Sequence, residues 1–391
     1  MTRCVNAYMN LSVHPNGIVK PCCMSRKIFI TDNKSQTLET AKISEFWSSK
    51  DRQHFIQRLD QGESVSECSS CWNEEKAGKQ SKRIRDNERW GIDNFSPNSL
   101  PVVLDVSMDN LCNLRCRICG PENSSQWAAE EAKRLGDKMP KLFKVSSQWQ
   151  ELYEFSDSIQ HIDFSGGEPF YIDSHWLLLE QLVSQGRSQD ISLHYNTNGT
   201  IFPSQYIDLL NKFKSVDIQV STDGLEQKFE YLRHPADWNE HISNLDLFKQ
   251  QSWKLGVCFS LSVFNINDVF ETYEFYKSKN ISFYLNIVHG DHSVQIIPRD
   301  IRNQLIRKLE SQTSKTDQKD WEEQRSVIIG YLNSPYDLSW KWQTFWQATY
   351  LRDQIREQNY PEIFPDTWKM VEPWLASTRI RVYNINNVYV E

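Results

Sequence analysis

The sequence has no apolar run near the ~20 residues that a membrane-spanning helix requires. Its start, MTRCVNAYMN, lacks the basic segment followed by an apolar segment that marks a secretory signal peptide. The 44 basic and 51 acidic side chains leave a formal net charge of −7, which gives no reason to expect a nucleic acid or an anionic membrane as a partner. Internal repeats and low-complexity tracts are also absent. These absences favour a cytoplasmic globular protein.

Cysteine, in contrast, is abundant, with nine residues in the chain. In a reducing compartment, a Cys-x2-Cys pair indicates metal binding or redox activity before it indicates a disulfide. One cysteine set lies within the stretch LCNLRCRICG, and a second set is spread over residues 1–72. Their members are Cys112, Cys116 and Cys119, and Cys4, Cys22, Cys68 and Cys71. Cys258, within KLGVCFSLSV, is interpreted as a small buried residue of a strand.

A regular alternation of strand-like and helix-like segments extends from residue 101 to about residue 290. The strand-like runs are PVVLDVSM, IQHIDFSG, DISLHYNT, SVDIQVST, KLGVCFSLSV and ISFYLNIV. Strands that alternate with helices predict a parallel sheet with right-handed crossovers. Six such units fall short of the eight in a closed (β/α)8 barrel, so the pattern predicts an α/β fold built on a partial (β/α)6 barrel.

Four regions follow from this pattern. Residues 1–72 are short segments broken by turn signals such as HPNG, and we predict a small cysteine-rich module that depends on a metal for its shape. We predict a charged helix and linker over 73–100, the barrel over 101–295 and a helical C-terminal region over 296–391. The tryptophans of that last region are interpreted as core rather than as a substrate cleft, although a helical cap over the barrel mouth would satisfy both. They are Trp340, Trp342, Trp346, Trp368 and Trp374.

Small and polar residues follow the strand-like runs, in the segments SGGEPF, NTNGT, STDG and SVFN. Each segment alone is typical of a turn. In a parallel barrel, however, the loops after the strands meet at one rim, and the first of these loops contains the cysteine triplet. The segments therefore predict a site that combines the thiols with carboxylate and amide groups. The candidates are Gly166, Gly167, Glu168, Pro169, Asn198, Ser221, Asp223, Arg233 and Asn265.

These motifs strongly resemble those of the radical S-adenosylmethionine (SAM) enzymes over about residues 101–290. CNLRCRIC matches their Cys-x3-Cys-x2-Cys signature, and GGEP matches the segment that binds the amino group of SAM in this family. TNG, STDG with the later Arg233, and SVFN resemble further SAM-contacting segments of the anaerobic sulfatase-maturase and peptide-maturase branch. Ile118 is a departure, because the family often has an aromatic residue before the third cysteine. An apolar contact with adenine is expected there, without stacking.

The resemblance implies that Cys112, Cys116 and Cys119 bind three irons of a [4Fe–4S] cluster and leave the fourth iron open, as catalytic metal sites do. In this family the amino and carboxylate groups of SAM fill the open position. An electron from the cluster then cleaves SAM to methionine and a 5′-deoxyadenosyl radical, which abstracts hydrogen from a substrate. The cofactors supply this chemistry, and the protein positions the substrate C–H bond and excludes water. An electron donor such as flavodoxin or ferredoxin is also implied.

The first 72 residues resemble the auxiliary-cluster modules called SPASM and twitch, through Gly17-x4-Cys22 in GIVKPC and the Cys-x2-Cys of CSSCW. The resemblance implies a closed auxiliary [4Fe–4S] cluster, and the Gly-x4-Cys spacing favours Cys22 over Cys23 as a ligand. The ligands would be Cys4, Cys22, Cys68 and Cys71. A four-cysteine zinc site is the alternative. The module usually follows the barrel and here precedes it, but a linker of about 28 residues at ~3.3 Å each would permit docking.

The auxiliary module suggests peptide or protein modification, such as crosslinking or side-chain oxidation. The alternative is a small-molecule dehydrogenase or cyclase, because twitch modules also occur in enzymes of aminoglycoside and molybdopterin-precursor synthesis. A non-catalytic, metal-stabilised binding protein is a third possibility, against which the intact triplet and GGEP argue. No additional domain for a leader peptide is evident, which weakens the case for a ribosomal-peptide maturase. The expected partners are a peptide or small-molecule substrate and an electron donor, with no nucleic acid and no membrane.

Overall fold

The computed structural model describes most of the chain. The described residues are 2–28, 30–31, 34–35, 37–38, 41–76, 78–107, 109–136, 152–153 and 155–377. The chain divides into two compact units. The first unit comprises Met1–Arg115, Cys119–Val220 and His241–Leu255, and the second comprises Cys116–Ile118, Ser221–Glu240 and Gly256–Glu391.

Strands occur in both the N-terminal region and the predicted barrel. Those of the described residues are β1 (Asn10–Val13), β2 (Val19–Lys20), β3 (Ile30–Thr31), β4 (Lys34–Ser35), β5 (Val103–Ser107), β6 (His161–Ser165), β7 (Ser192–Thr197), β8 (Ser215–Thr222), β9 (Lys254–Leu261) and β10 (Ser282–Ile287). The α-helices of the N-terminal 100 residues are α1 (Asn6–Met9), α2 (Ile43–Trp47), α3 (Lys50–Asp60), α4 (Ser69–Lys76) and α5 (Lys82–Trp90).

Helices follow most of the later strands. They are α6 (Ser125–Leu135), α7 (Asp173–Ser184), α8 (Ile207–Leu210), α9 (Glu226–Leu232), α10 (Trp238–Lys249) and α11 (Val269–Ser278). The described C-terminal part is helical, as expected, with α12 (Arg299–Ser311), α13 (Gln318–Leu332), α14 (Trp342–Arg356), α15 (Tyr360–Ile363) and α16 (Pro365–Ser377).

The six predicted strands all form, as β5 to β10. In the first unit, strands lie side by side in the order β8–β7–β6–β5–β1–β2, and β5 to β8 are parallel to one another. In the second unit, β9 and β10 are parallel, with Val257 beside Phe283. The α/β class with a parallel sheet is therefore confirmed.

Burial alternates along the strands of the first unit. β8 buries Val216, Ile218 and Val220, whereas Asp217 and Gln219 between them are partly exposed. β7 shows the same alternation, and β6 shows it from Ile162 onward. Because successive side chains of a strand point to opposite faces, this sheet has one apolar face and one polar face.

The N-terminal region contributes a strand to this sheet. β1 lies parallel to β5, with Leu11 beside Leu104, and all four residues of β1 are buried. The Val102 N–H also donates to the Met9 carbonyl at 2.8 Å. Backbone hydrogen bonds therefore join residues 1–72 to the first strand of the barrel region. The parallel pairing is a tertiary contact that the sequence pattern does not reveal.

Residues 1–72 also have a small apolar core. It contains Cys4, Ala7, Tyr8, Phe55, Ile56, Leu59 and Val65. Arg52 is buried beside it, and its guanidinium donates to the carbonyls of Trp47, Tyr8 and Pro97. The region is thus stabilised by side-chain burial and hydrogen bonds, in addition to any metal or cluster that its cysteines bind.

Helix α5 of the predicted linker lies against the start of the chain. The Asn87 Oδ1 accepts from the Val5 N–H at 2.7 Å, and the Arg83 Nη1 donates to the Arg3 carbonyl at 3.1 Å. Arg83 is buried although most residues of this helix are charged or polar. This helix therefore has an inner face directed at the N-terminal cysteine region.

Aromatic side chains form the core of the C-terminal helices in the second unit. Trp342 and Trp346 are 1% and 0% exposed, with ring centroids 5.5 Å apart, so they are core residues as predicted. Trp368 and Trp374 are partly buried and each contacts one of this pair. Trp340 is 73% exposed, so its interpretation as core is wrong. None of the helices in the described part of the chain is long and apolar enough to cross a bilayer.

Candidate cluster and cofactor sites

The loop that carries two of the triplet cysteines is folded back on itself between β5 and α6. The Ser124 hydroxyl, at the N-terminus of α6, donates to the Leu114 carbonyl at 2.5 Å. Cys112 is buried, and its Sγ accepts from the Leu114 N–H at 3.4 Å. Cys119 is partly exposed. These contacts hold the loop at the carboxyl end of the first barrel strand, where catalytic groups of parallel barrels lie.

The GGEP segment is fastened to this cysteine loop. The Glu168 N–H donates to the Leu111 carbonyl at 2.7 Å. Gly166 and Gly167 have φ of +72° and +50°, a region that residues with a Cβ rarely adopt. A Cβ on Gly166 would collide with Ser107, and one on Gly167 would collide with the Leu111 carbonyl. The two glycines are therefore required for the close contact between the loops.

Glu168 connects GGEP to the TNG loop. Its side chain is fully buried and accepts from the Thr197 hydroxyl and the Asn198 N–H, both at 2.7 Å. It also accepts from the Phe170 N–H at 3.1 Å, which caps a short 3-10 helix beginning at the buried Pro169. A buried carboxylate is stable only with such donors. The predicted ligand of an amino group is thus held rigidly by the protein.

Asn198 links the TNG loop back to the cysteine loop. Its Nδ2 donates to the Asn113 Oδ1 at 2.9 Å and lies 3.9 Å from the Cys112 Sγ. Its Oδ1 accepts from the Thr200 N–H at 2.9 Å. The first unit therefore brings the loops of Cys112, Glu168 and Asn198 into direct contact.

The second unit brings together the third triplet cysteine and two further predicted residues. Arg233 lies with its Nη1 4.0 Å from the Cys116 Sγ and its Nη2 2.9 Å from the Asp223 Oδ2. Burial raises the pKa of the Cys116 thiol, and the guanidinium opposes that rise. Burial also raises the pKa of Asp223, again opposed by Arg233. The arginine therefore stabilises both anions at this position.

Asn265 of SVFN holds the STDG loop in place. Its Nδ2 donates to the carbonyls of Asp223 at 3.0 Å and Ser260 at 3.1 Å, and its Oδ1 accepts from the Ser262 N–H at 2.8 Å. The Asp223 carboxylate in turn accepts from the Ser260 N–H at 3.0 Å. Ser221, near the end of β8, is partly exposed. Asn265 is thus placed beside Asp223, as the strand-end argument expects.

Arg117, which the sequence did not single out, anchors the Cys116 segment. Its Nη2 lies 2.5 Å from the Asp353 Oδ1 of α14, and both residues are buried. Its guanidinium covers the ring of Tyr231 at 4.0 Å, and its N–H donates to the Leu232 carbonyl at 2.7 Å. No local pattern could have identified this pair, because 236 residues separate the arginine from the aspartate.

The four candidate ligands of the N-terminal set line one pocket, together with apolar side chains such as Phe55 and Leu59. They are Cys4, Cys22, Cys68 and Cys71. Cys23 is exposed. Burial raises the pKa of the Cys4 and Cys68 thiols to about 12. Among the described residues, no three His, Cys, Asp or Glu side chains are grouped closely enough to hold a single metal ion.

Each of these four sulfurs accepts a hydrogen bond from a nearby residue. The donors are the N–H of Asn6 to Cys4, the N–H of Met24 to Cys22, the hydroxyl of Ser25 to Cys68, and the N–H of Arg83 and hydroxyl of Ser81 to Cys71. Hydrogen bonds to sulfur favour the thiolate form that iron and zinc require. The four thiols therefore fit an all-thiolate cluster, and Ser25, Ser81 and Arg83 are parts of the site that the sequence did not reveal.

The polar face of the sheet carries a row of ionisable groups. Strand registers place Asp105, Asp163, His194 and Asp217 side by side. Among the described residues, Asp105 Oδ2, Asp217 Oδ1 and Gln219 Oε1 are buried without a hydrogen-bond partner. Lys82 and His161 lie against Asp163, and His194 and Lys254 lie against Asp217, so the row combines donors with acceptors.

Comparison with protein families identifies two domains in the chain. Residues 106–276 match the radical SAM superfamily, and residues 4–72 match the SPASM iron–sulfur cluster-binding domain. A radical SAM domain implies a [4Fe–4S] cluster and SAM, and a SPASM domain implies auxiliary iron–sulfur binding.

Characterised relatives match parts of the chain. GTP 3′,8-cyclase of Synechocystis is 25% identical over 182 residues, 44% of this chain and 50% of the relative. GTP 3′,8-cyclase of Syntrophomonas wolfei is 30% identical over 137 residues, 34% of this chain and 37% of the relative. The sporulation killing factor maturation protein SkfB of Bacillus subtilis is 19% identical over 253 residues, 62% of this chain and 58% of the relative. The chain thus spans 37% to 58% of the length of these relatives.

Two similar solved structures are Streptococcus suis SuiB bound to SAM and anSMEcpe bound to SAM and the Cp18Cys peptide. SuiB has a TM-score of 0.38 and 18% identity, covering 68% of this chain and 59% of SuiB. The anSMEcpe structure has a TM-score of 0.36 and 17% identity, and the match covers 54% of this chain and 58% of the anSMEcpe chain. The chain therefore contains a radical SAM domain over residues 106–276 and a SPASM iron–sulfur cluster-binding domain over residues 4–72.

Proposed function

We propose that this radical SAM enzyme modifies a side chain of a peptide or protein, by crosslinking or oxidation. The observation that carries the proposal is the second thiol site, in which four cysteines line one pocket of a domain that pairs with the barrel strand β5. A closed cluster has no open position for SAM and is suited to accept an electron from a substrate radical. The match to SkfB also covers more of this chain than the matches to the two cyclases.

The second candidate is a small-molecule cyclase. GTP 3′,8-cyclase of Syntrophomonas wolfei is 30% identical to this chain over 137 residues. Against this stands the smaller share of this chain that the two cyclase matches cover, 44% and 34%, compared with 62% for SkfB.

The proposed roles divide between the two thiol sets. Cys112, Cys116 and Cys119 hold the SAM cluster, which when loaded supplies the electron that cleaves SAM to methionine and a 5′-deoxyadenosyl radical. Glu168 binds the amino group of SAM, and Arg233 and Asp223 stay fixed to each other beside Cys116. The remaining proposed SAM contacts are Gly166, Gly167, Pro169, Asn198, Ser221 and Asn265.

A substrate test separates the two candidates. The enzyme would be incubated without oxygen with SAM and dithionite, and with either GTP or the short peptide encoded beside its gene. We expect the peptide to lose hydrogen, measured by mass spectrometry, and to accelerate 5′-deoxyadenosine release. Conversion of GTP with an unchanged peptide would instead establish the cyclase.

Metal loading provides the next prediction. Anaerobically reconstituted protein should bind two clusters, about eight irons per chain, because two ligand sets are present. Loading should also release protons at pH 7.5, since the raised pKa of Cys4 and Cys68, about 12 each, keeps both thiols protonated until iron binds. Iron, sulfide and zinc analysis measures the outcome. Four or fewer irons with zinc in the remainder would contradict an auxiliary cluster.

Removing the Glu168 charge should weaken SAM binding without removing either cluster. Glu168→Gln loses an ammonium–carboxylate hydrogen bond worth about 1.5–3 kcal/mol, so the Kd for SAM should rise about 10- to 100-fold. Equilibrium binding measures the change, with iron content as a check. The exposed Glu180→Gln on α7 is the matched control and should leave the Kd unchanged. An unaltered Kd in Glu168→Gln would contradict the assigned role.

A further inference from the structure

The pocket of the auxiliary thiols is completed by a helix outside the SPASM match, which ends at residue 72. Arg83 of α5 lines the pocket and is only 9% exposed. The backbone N–H of Arg83 and the hydroxyl of Ser81 both lie within hydrogen-bonding reach of the Cys71 Sγ. Residues beyond the domain boundary therefore contact a ligand sulfur directly.

The Arg83 guanidinium is held in one orientation. Its Nε and Nη2 donate to the two carboxylate oxygens of Glu75 at 3.0 and 2.7 Å. Its Nη1 donates to the Arg3 carbonyl at 3.1 Å, next to the ligand Cys4. The guanidinium also lies 4.9 Å from the ring centroid of Trp72, next to the ligand Cys71. The arginine thus contacts residues next to Cys4 and next to Cys71, the first and last cysteines of the auxiliary set.

This placement has electrostatic consequences for the thiols. Arg83 lines the pocket, and Glu75, one helical turn after Cys71 on α4, binds its guanidinium at 2.7 Å. The two opposite charges therefore both act at the pocket. In a site largely shielded from water such charges act strongly, because screening by solvent is weak.

We propose that Ser81, Arg83 and Glu75 form a positioning and charge-tuning shell that sets the reduction potential of the auxiliary cluster. Reduction adds one negative charge to a cluster. A nearby cation or a hydrogen bond to sulfur stabilises the reduced state and raises the potential, and a nearby anion lowers it. The proposal rests on the auxiliary cluster and is independent of the substrate.

The test is an EPR-monitored redox titration of the full-length, anaerobically reconstituted protein. The auxiliary signal is the one that added SAM does not change, because that cluster is closed. Arg83→Gln should lower its midpoint potential, and Glu75→Gln should raise it. Arg83→Lys, which keeps the charge, should stay nearer to the wild-type value. A merely structural role would not give shifts of opposite sign.

Matched controls keep the result decisive. Arg85→Gln removes the same charge from the same helix at a residue that does not line the pocket, and it should leave the potential unchanged. Iron content of each variant shows whether the cluster is loaded. If Arg83→Gln fails to load, Glu75→Gln and Ser81→Ala still test the proposal, with a raised and a lowered potential expected. Loaded variants with the wild-type potential would overturn it, and a wild-type protein with only one cluster would instead contradict the auxiliary site itself.

Discussion

Protein with Cys116→Ala should release no 5′-deoxyadenosine from SAM under dithionite. The proposed catalytic cluster has only three protein anchors, so one lost thiolate leaves two irons without a protein ligand. Cys116 is also the triplet cysteine beside Arg233, and its peptide neighbour Arg117 is bound to Asp353. These contacts fix the position of Cys116. The described residues of the second unit contain one other cysteine, Cys258 of β9. Chromatography of anaerobic reactions measures the release.

Cys258→Ala is the control for this result. It removes a partly buried thiol that belongs to neither set, and it should leave SAM cleavage and iron content unchanged. Cys116→Ala should lose the SAM-sensitive cluster signal while the auxiliary signal persists. Continued release of 5′-deoxyadenosine by Cys116→Ala would show that the catalytic cluster has been assigned to the wrong residues.

The double substitution Cys68→Ala and Cys71→Ala should eliminate product while sparing SAM cleavage in the absence of substrate. Iron should fall from about eight to about four per chain, because only the SAM cluster remains. The physical reason is the division between an open cluster for SAM and a closed cluster for electron transfer. Product analysis by mass spectrometry and 5′-deoxyadenosine assays on the same samples separate the two activities.

Loss of the fold is the competing explanation for that result, and the structure argues against it. The β1–β5 pairing and the apolar core with Phe55, Ile56 and Leu59 rest mainly on other residues, so we expect both to persist when the two thiols are removed. We therefore expect circular dichroism close to that of the wild type, with a lower melting temperature. The exposed Cys23→Ala is the matched control and should make product normally. A folded double variant with normal product yield would exclude an essential role for the auxiliary cluster.

The strands and the loop motifs could be predicted because their signals are local. β8, for example, alternates buried Val216, Ile218 and Val220 with polar residues, and STDG follows at once. Parallel strands bring such following loops to one edge, so Glu168 and Asn198 could be placed together before any coordinates were known. The structure confirms that contact through the hydrogen bond between the Asn198 N–H and the Glu168 carboxylate.

The two cysteine sets were likewise evident from spacing, but their surroundings were not. In the sequence, Arg83 is one more charged residue of a charged helix. In the structure it is buried and lines the auxiliary pocket. Its burial depends on Glu75 and the Arg3 carbonyl, and both partners are supplied by other segments. Charge patterning alone cannot distinguish such a residue from a solvated one.

The sequence by itself determined the α/β class, the six barrel-region strands and the two candidate sets of thiol ligands, because periodicity and spacing are local features of the chain. Only the tertiary structure decided that β1 pairs with β5, that Asp353 holds Arg117 beside Cys116, and that α5 closes the auxiliary pocket. Each of these contacts joins segments far apart in sequence. These contacts are stable because their groups are buried away from water and lie close to each other. Both conditions depend on the folded chain and not on any single segment.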